Sequence, residues 1–167
     1  CPLYREAKLA APLAQALGKL DYPREALDIK FLVESDDEDT VQAALRAAEQ
    51  HAIEVIAVPV AQPLTKPKAL NVGLARARGA FVTVYDAEDR PDPRQLRAAL
   101  AAFDADPNLA CVQAPLVIDN ADASWIARQF AAEYAIQFDE ILPLLARLRL
   151  ALPLGGSSNH FRTDALR

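Results

Sequence analysis

Apolar runs rich in β-branched residues alternate along this chain with alanine- and leucine-rich stretches of helical period, and that alternation constrains the fold more than any other feature. Asp28 to Glu34 (DIKFLVE) reads as a buried strand, Glu38 to Gln50 as a helix, and Ile53 to Pro59 (IEVIAVP) as a second strand. Pro67 to Arg78 reads as a helix halted by Gly79, and Ala80 to Asp86 as a further strand. Ahead of these, Glu6 to Leu20 spaces Leu9, Leu13 and Leu17 four apart, a helical stripe closed by Asp21-Tyr22-Pro23. Behind them, Pro93 to Phe103 reads as a helix with Asp92 as its cap and proline at its first position. Leu109 to Ile118 continues as an extended segment, and Ser124 caps one more helix. Strands separated by helices of about 10 to 15 residues predict right-handed crossovers and a mainly parallel sheet with helices on both faces, a Rossmann-like α/β fold. In such sheets ligands sit beyond the carboxyl ends of the strands, so polar residues there carry the most functional weight.

Composition narrows the classes. The 167 residues, 52% hydrophobic and 25% charged, suit one globular domain with a real core and exclude disorder and collagen-like repeats. A formal charge of -5, with arginines interleaved among acids, offers no basic face to nucleic acid or anionic lipid. The two cysteines, Cys1 and Cys111, lie far apart with no second pair, so a disulfide framework is not expected and a reducing compartment fits. No apolar run approaches the roughly 20 residues that cross a bilayer, and the first residues lack a signal pattern, so the chain as given is expected to be soluble. It opens at Cys1 within what reads as the end of a strand and stops at Arg167 within what reads as the start of a helix. The expectation is a single domain, 1–167, truncated at both ends.

The strongest local signal is YDAEDRPDP, Tyr85 to Pro93, where the run FVTVY ends in Asp86 with Glu88 and Asp89 close behind. Two carboxylates at a strand's carboxyl end can share a hard cation such as Mg²⁺ or Mn²⁺, which keeps its other positions for water and a diphosphate. The competing reading is turn and macrodipole chemistry ahead of a proline-started helix. A second acidic cluster, FLVESDDEDT, puts Asp36 and Asp37 where a base and ribose could be held, since carboxylates accept from a uracil N–H or ribose hydroxyls. Its alternative is a cap for the helix that follows. TKPKALN, Thr65 to Asn71, opens a helix and brings Lys66 and Lys68 to the same sheet edge, where a lysine and a helix N-terminus could meet a diphosphate. PLGGSSNHFR, Pro153 to Arg162, reads as a loop whose glycines let it approach a sugar closely. His160 and His51 read as structural or surface histidines without partners at zinc-like spacing.

Taken in order, these motifs resemble those of processive family 2 glycosyltransferases, nearest to cellulose-synthase-like and related membrane-bound bacterial enzymes, over nearly the whole chain. The resemblance implies the nucleotide-diphospho-sugar transferase fold of the GT-A type. PLYREA resembles P-x-Y-x-E, which implies donor-nucleotide contacts from Tyr4 and Glu6, with Tyr4 against the base and Asp36 on the uridine. KALN resembles K-A-x-N, which gives Lys68 the diphosphate-facing place, with Lys66 two residues before it. DAE stands at the family's D-x-D, so Asp86 would contact nucleotide or metal and Glu88 would complete the Mg²⁺ or Mn²⁺ site, glutamate for aspartate being a departure. LGGSSNHFR resembles the loop beside the acceptor sugar, making Gly155, Gly156, Ser157 and Asn159 acceptor-site candidates. VQAP and the stretch Phe130 to Phe138 resemble segments between the two sites.

The implied partners are a nucleotide-sugar donor, with a UDP-sugar expected, and a glycan or lipid-linked acceptor. The parent enzymes work on the cytoplasmic side of the bacterial inner membrane, reached through segments outside this chain. The family's catalytic base lies in a T-E-D motif, with a Q-x-x-R-W motif beyond it, and neither occurs before Arg167, so the expectation is donor binding without transfer. Two other readings stand beside this one. A nucleotidyltransferase shares the architecture but carries a glycine-rich basic loop that PLYREA is not. A noncatalytic carbohydrate-binding or scaffolding module would lack metal-dependent nucleotide binding.

Overall fold

The computed structural model describes residues 1–63 and 65–167. A short strand β1 (Pro2–Leu3) leads into helix α1 (Ala7–Leu17), then β2 (Ile29–Glu34), α2 (Glu38–Gln50), β3 (Ile53–Val58), α3 (Lys66–Ala75), β4 (Phe81–Val84), α4 (Gln95–Ala105) and β5 (Cys111–Gln113). A longer helical passage follows, α5 (Trp125–Ala135) running through a π turn at Ile136–Ile141 into α6 (Leu142–Arg147), before the last strand β6 (Asn159–Arg162).

The strands form two three-stranded sheets. In the first, of order β1-β2-β3, every pairing is parallel, with Leu3 opposite Val33 and Val33 opposite Ala57. Alternate residues of β2 point to opposite faces, and both faces are covered. Phe31 and Val33 pack with Leu13 and Leu17 of α1 and Ala44 of α2, whereas Leu32 packs with Ile56, Val58 and Ala69 of α3 on the other side. Phe31, Leu13 and Leu17 are each at most 2% exposed, and burying a side chain of that size contributes about 1.5–3 kcal/mol. The close seating of α3 depends on Gly73, where an added Cβ would stand 2.7 Å from Leu32 Cδ1.

The second sheet departs from the expected parallel pattern. Its order is β4-β6-β5, and β6 lies antiparallel to both neighbours, with Thr83 opposite His160 and Val112 opposite His160. The segment read as a loop therefore ends as a central strand. Arg162 closes this sheet onto α4: its guanidinium donates to the carbonyls of Leu109 and Phe103 and lies 5.4 Å from the Phe81 ring and 5.0 Å from that of Phe103. Within Leu109 to Ile118, Cys111–Gln113 alone is strand.

Local chemistry follows the sequence at several ends. Asp37 Oδ1 accepts from Thr40 N at 3.3 Å and starts α2, and Ser124 Oγ accepts from Ala127 N at 3.0 Å and starts α5. The α4 start is shifted inward: Asp92 Oδ1 accepts from Arg94 N and its carbonyl from Gln95 N, a turn ahead of the helix. Among the described residues, no helix is long and apolar enough to cross a membrane. Helix α5 buries none of its residues and leaves Trp125, Ile126 and Phe130 exposed.

Candidate functional site

Strands β1, β2 and β4 all end at one cleft of about 380 Å³. Tyr4, Glu6, Glu34, Lys66, Asp86 and Glu88 line it, beside Thr65 at the start of α3. The sheet edge thus gathers acids from three segments against the N-terminal turn of a helix, the arrangement expected beyond the carboxyl ends of parallel strands.

The acids crowd one another. Glu6 has its carboxyl raised above the usual range, first by burial and then by the neighbouring charges of Glu88, Asp86 and Asp37. Glu6 is held by two backbone contacts: its N–H donates to Thr40 Oγ1 at 3.1 Å and its Oε2 accepts from Tyr4 N at 3.4 Å. Tyr4 is 42% exposed, with the Arg5 guanidinium 5.1 Å from its ring centre, so one face of an aromatic ring stands at the cleft's mouth.

Asp86 lies two residues beyond β4 and is half-buried. Its carboxylate takes the Lys66 ammonium, which also donates to the Gly156 carbonyl at 2.6 Å. Asp89 secures the turn from the inside: its Oδ2 accepts from Asp86 N at 2.7 Å and from Ser157 Oγ. Glu88 is exposed and has no recorded side-chain partner among the described residues. Of these three acids, Asp86 and Glu88 line the cleft, whereas Asp89 is not among its lining residues and bonds within the protein. Among the described residues no three His, Cys, Asp or Glu side chains converge on one point. A Mg²⁺ or Mn²⁺ that draws further ligands from water and a diphosphate needs only one or two carboxylates, and the mutual repulsion around Glu6 is relieved by any cation there.

The two lysines of the TKPK turn separate. Lys68 donates to Glu34 Oε2 at 2.7 Å and to the carbonyls of Pro59 and Ala61 at 3.0 and 3.2 Å, behind the cleft. Lys66 faces into it. Residues two apart on a helix do not share a face, so one lysine in the cleft excludes the other from the same position. Asp36 is exposed and outside the cleft lining, while its neighbour Asp37 accepts from Arg5 N at 2.5 Å and caps α2.

Gly155, Gly156, Ser157 and Asn159 lie outside the cleft lining, with Gly156 against Lys66 and Asp86 at its border, and the loop is joined to β5 through Gln113. The Gln113 amide accepts from Gly155 N at 2.8 Å and donates to Ser157 O at 3.1 Å, and Asn159 Nδ2 donates to Gly155 O at 2.6 Å. Ser158 takes a positive φ of 55°, the bend that turns this loop into β6. Asn159 Oδ1 and His160 Nε2 are buried without a hydrogen-bond partner among the described residues. His160 lies behind the site, 2% exposed, with Nδ1 3.2 Å from Val112 O.

Sequence reading singled out neither Glu34, Gln113 nor Asp89 as a site residue and gave Lys66 second place. Glu34 looks like any strand-ending acid until its neighbour Lys68 is seen, and Gln113 had the VQAP motif as its only signal.

The family described as glycosyltransferase-like family 2 matches residues 1–167. The chain belongs to this family. No curated protein matches this glycosyltransferase-family chain significantly. Among solved structures it is similar to the mannosyltransferase PcManGT from Pyrobaculum calidifontis in complex with GDP-Man and Mn²⁺, at 23% identity and a TM-score of 0.66, over 96% of this chain and 42% of that one. It is also similar to glucosyl-3-phosphoglycerate synthase from Mycobacterium tuberculosis in complex with Mn²⁺, UDP and glucosyl-3-phosphoglycerate, at 16% identity and a TM-score of 0.60, over 98% of this chain and 55% of that one. TarS 1-349 from S. aureus in complex with UDP-GlcNAc matches at 18% identity with a TM-score of 0.59, over 98% and 44% of the two chains. The glycosyltransferase chain thus has their α/β GT-A fold and spans 42% to 55% of the length of these structures.

Proposed function

We propose that the cleft binds a nucleoside-diphosphate sugar together with Mg²⁺ or Mn²⁺, the donor half of an inverting sugar transfer. The observation that carries this reading is the meeting of Asp86, Glu88 and Glu6 with Lys66 and the start of α3 in one cleft of a glycosyltransferase-family chain. A diphosphate needs cations and backbone N–H groups, and a bridging metal needs carboxylates opposite them. Asp86 and Glu88 would hold the metal, which when bound supplies positive charge against the departing diphosphate. Tyr4 offers its ring to the base, Lys66 its ammonium to the diphosphate, and the acids at Asp36 and Asp37 stand on the nucleoside side. Lys68 supports the edge through Glu34 and reaches the diphosphate only by leaving that pair. Gly155, Gly156, Ser157 and Asn159 form the wall that an acceptor sugar would meet.

The donor reading draws on the family and on related structures that contain GDP-Man, UDP or UDP-GlcNAc, with UDP as the first nucleotide to try. Transfer further requires a base to take the proton of an acceptor hydroxyl as its oxygen attacks the anomeric carbon. The finer affiliation, with membrane-bound enzymes that build polysaccharide at the cytoplasmic face of a bacterial inner membrane, is supported by the PLYREA, KALN and LGGSSNHFR motifs alone.

Calorimetric titration with UDP in Mn²⁺, in Mg²⁺ and in EDTA tests the assignment, repeated on Asp86→Asn. Binding that requires the metal and is lost in Asp86→Asn is expected. UDP affinity indifferent to both EDTA and the substitution would sink it.

A further inference from the structure

Tyr4, Arg5 and Glu6 follow strand β1 as a tight bend in which the first and last residues line the cleft and the middle one does not. Arg5 makes the bend, with a φ of 58° in the left-handed region. Glycine takes that conformation without strain and an arginine does not, so the side chain is kept at a conformational cost. Two bonds from the start of α2 hold the bend: Arg5 N donates to Asp37 Oδ2 at 2.5 Å and Glu6 N to Thr40 Oγ1 at 3.1 Å. Asp37 takes Thr40 N on its other oxygen, so the bend and the helix start fix each other.

The Arg5 side chain is exposed and forms no ion pair among the described residues. Its contact is an aromatic face, with the guanidinium carbon 5.1 Å from the centre of the Tyr4 ring. Because Tyr4 lines the cleft and Arg5 does not, the guanidinium covers the outer side of the ring and leaves the inner side to the cleft. A tyrosine 42% exposed has other rotamers open to it, and a cation over one face favours the one seen. Strained backbone sustained by neighbouring bonds is characteristic of ligand clamps.

We propose that Arg5 is a positioning residue for the nucleobase: it braces the Tyr4 ring from outside, so that the inner face is set for stacking before the donor arrives. The inference rests on the donor-site reading above and adds to it Arg5 and, behind it, Asp37. The stacking order is guanidinium, ring, base. Lys66, Asp86 and Glu88, which that reading gives to diphosphate and metal, belong to other segments, so the effect of Arg5 is confined to ligands that carry a base.

The test is calorimetric titration in Mn²⁺ with UDP and with inorganic pyrophosphate, on the parent chain and on Arg5→Gly and Arg5→Lys. Glycine keeps the left-handed bend without strain while removing the brace. Arg5→Gly is expected to weaken UDP by about two- to fivefold, the scale of an exposed cation–π contact, and to leave pyrophosphate unchanged. Arg5→Lys, which keeps a cation, is expected to recover most of that loss. In a Tyr4→Ala background Arg5→Gly is expected to change nothing further, because the brace then has no ring to hold. UDP affinity that is indifferent to Arg5→Gly overturns the proposal, as does an equal loss for UDP and pyrophosphate or a loss that Arg5→Lys does not recover. The same loss in the Tyr4→Ala background also overturns it, since Arg5 would then act on the nucleotide directly. A parent chain that binds neither ligand removes the donor-site reading together with this one, whereas a parent that binds both removes at most the role of Arg5.

Discussion

The Lys66 ammonium sits on the Asp86 carboxylate and ties it to the Gly156 carbonyl, so a protein cation holds the acid that the proposed function gives to a metal. A divalent ion entering at Asp86 must displace it. Lys66→Met is therefore expected to tighten Mn²⁺ binding in the absence of nucleotide by up to about fivefold, the scale of a partly exposed ion pair. With UDP present the sign reverses, because the displaced ammonium becomes a diphosphate donor worth about 1.5–3 kcal/mol. Paired titrations of Mn²⁺ alone and of UDP in Mn²⁺ read both signs; a variant that weakens or strengthens both together would contradict the exchange.

Asp89 receives Asp86 N and Ser157 Oγ on one oxygen, joining the metal-side turn to the acceptor-side loop. Ser157→Ala removes one of those bonds and is expected to lower stability by about 1–2 kcal/mol, while leaving UDP affinity in Mn²⁺ within about twofold. Asp89→Ala frees the Asp86 turn as well and should reduce both. Denaturant unfolding with calorimetry separates the two variants.

Gly73 brings α3 against Leu32 closely enough that a methyl group has no room until the leucine moves. Gly73→Ala gains up to about 1 kcal/mol of helix propensity but incurs overpacking of about 1–3 kcal/mol, so a net loss of about 1 kcal/mol is expected. The double variant Gly73→Ala/Leu32→Val should be closer to the parent than the sum of the single changes, and a double-mutant cycle measures that coupling.

Burial holds the His160 imidazole below its ordinary pKa, so the unfolded chain binds the proton more readily than the folded one. Its contribution is complete above about pH 6.5 and is lost progressively as pH falls from there toward the depressed folded value. Raised Glu6 acts oppositely, favouring the folded state at low pH. Stability of the chain minus that of His160→Gln isolates the histidine, and the difference is expected to fall between pH 7.5 and 5.5.

Much of this was legible from one sequence where a local rule decides. Helix α2 spans Glu38–Gln50 as its composition indicates, and Ser124 caps α5, because capping is a matter of neighbouring residues. Strand β6 was not legible: Asn159 to Arg162 follow two glycines and two serines, and they are extended because β4 and β5 receive them on both sides. Motif order brought Tyr4, Glu6, Asp86 and Glu88 to one cleft, but it put Lys68 ahead of Lys66 and Asp36 ahead of Asp37, whereas Lys66 lines the cleft and Lys68 and the two aspartates do not. Those choices depend on how α3 is rotated over Gly73 and on which acid reaches Thr40 N, and both are set by packing across long stretches of chain.

Strand β6 lies between β4 and β5, although it follows both in the chain, and Gln113 must wait for Gly155, 42 residues later. Chain emerging from a ribosome can close β1, β2 and β3 with their crossover helices from contacts already synthesised, whereas β4 and β5 have nothing to lie against until Asn159–Arg162 arrive. Birth order and spatial order are thus inverted in this half of the molecule. A nascent chain that has not yet delivered Asn159–Arg162 carries the first sheet folded and the Gly155–Ser158 loop without its anchor, so the acceptor-side wall takes shape only after the strands on either side of it have been made.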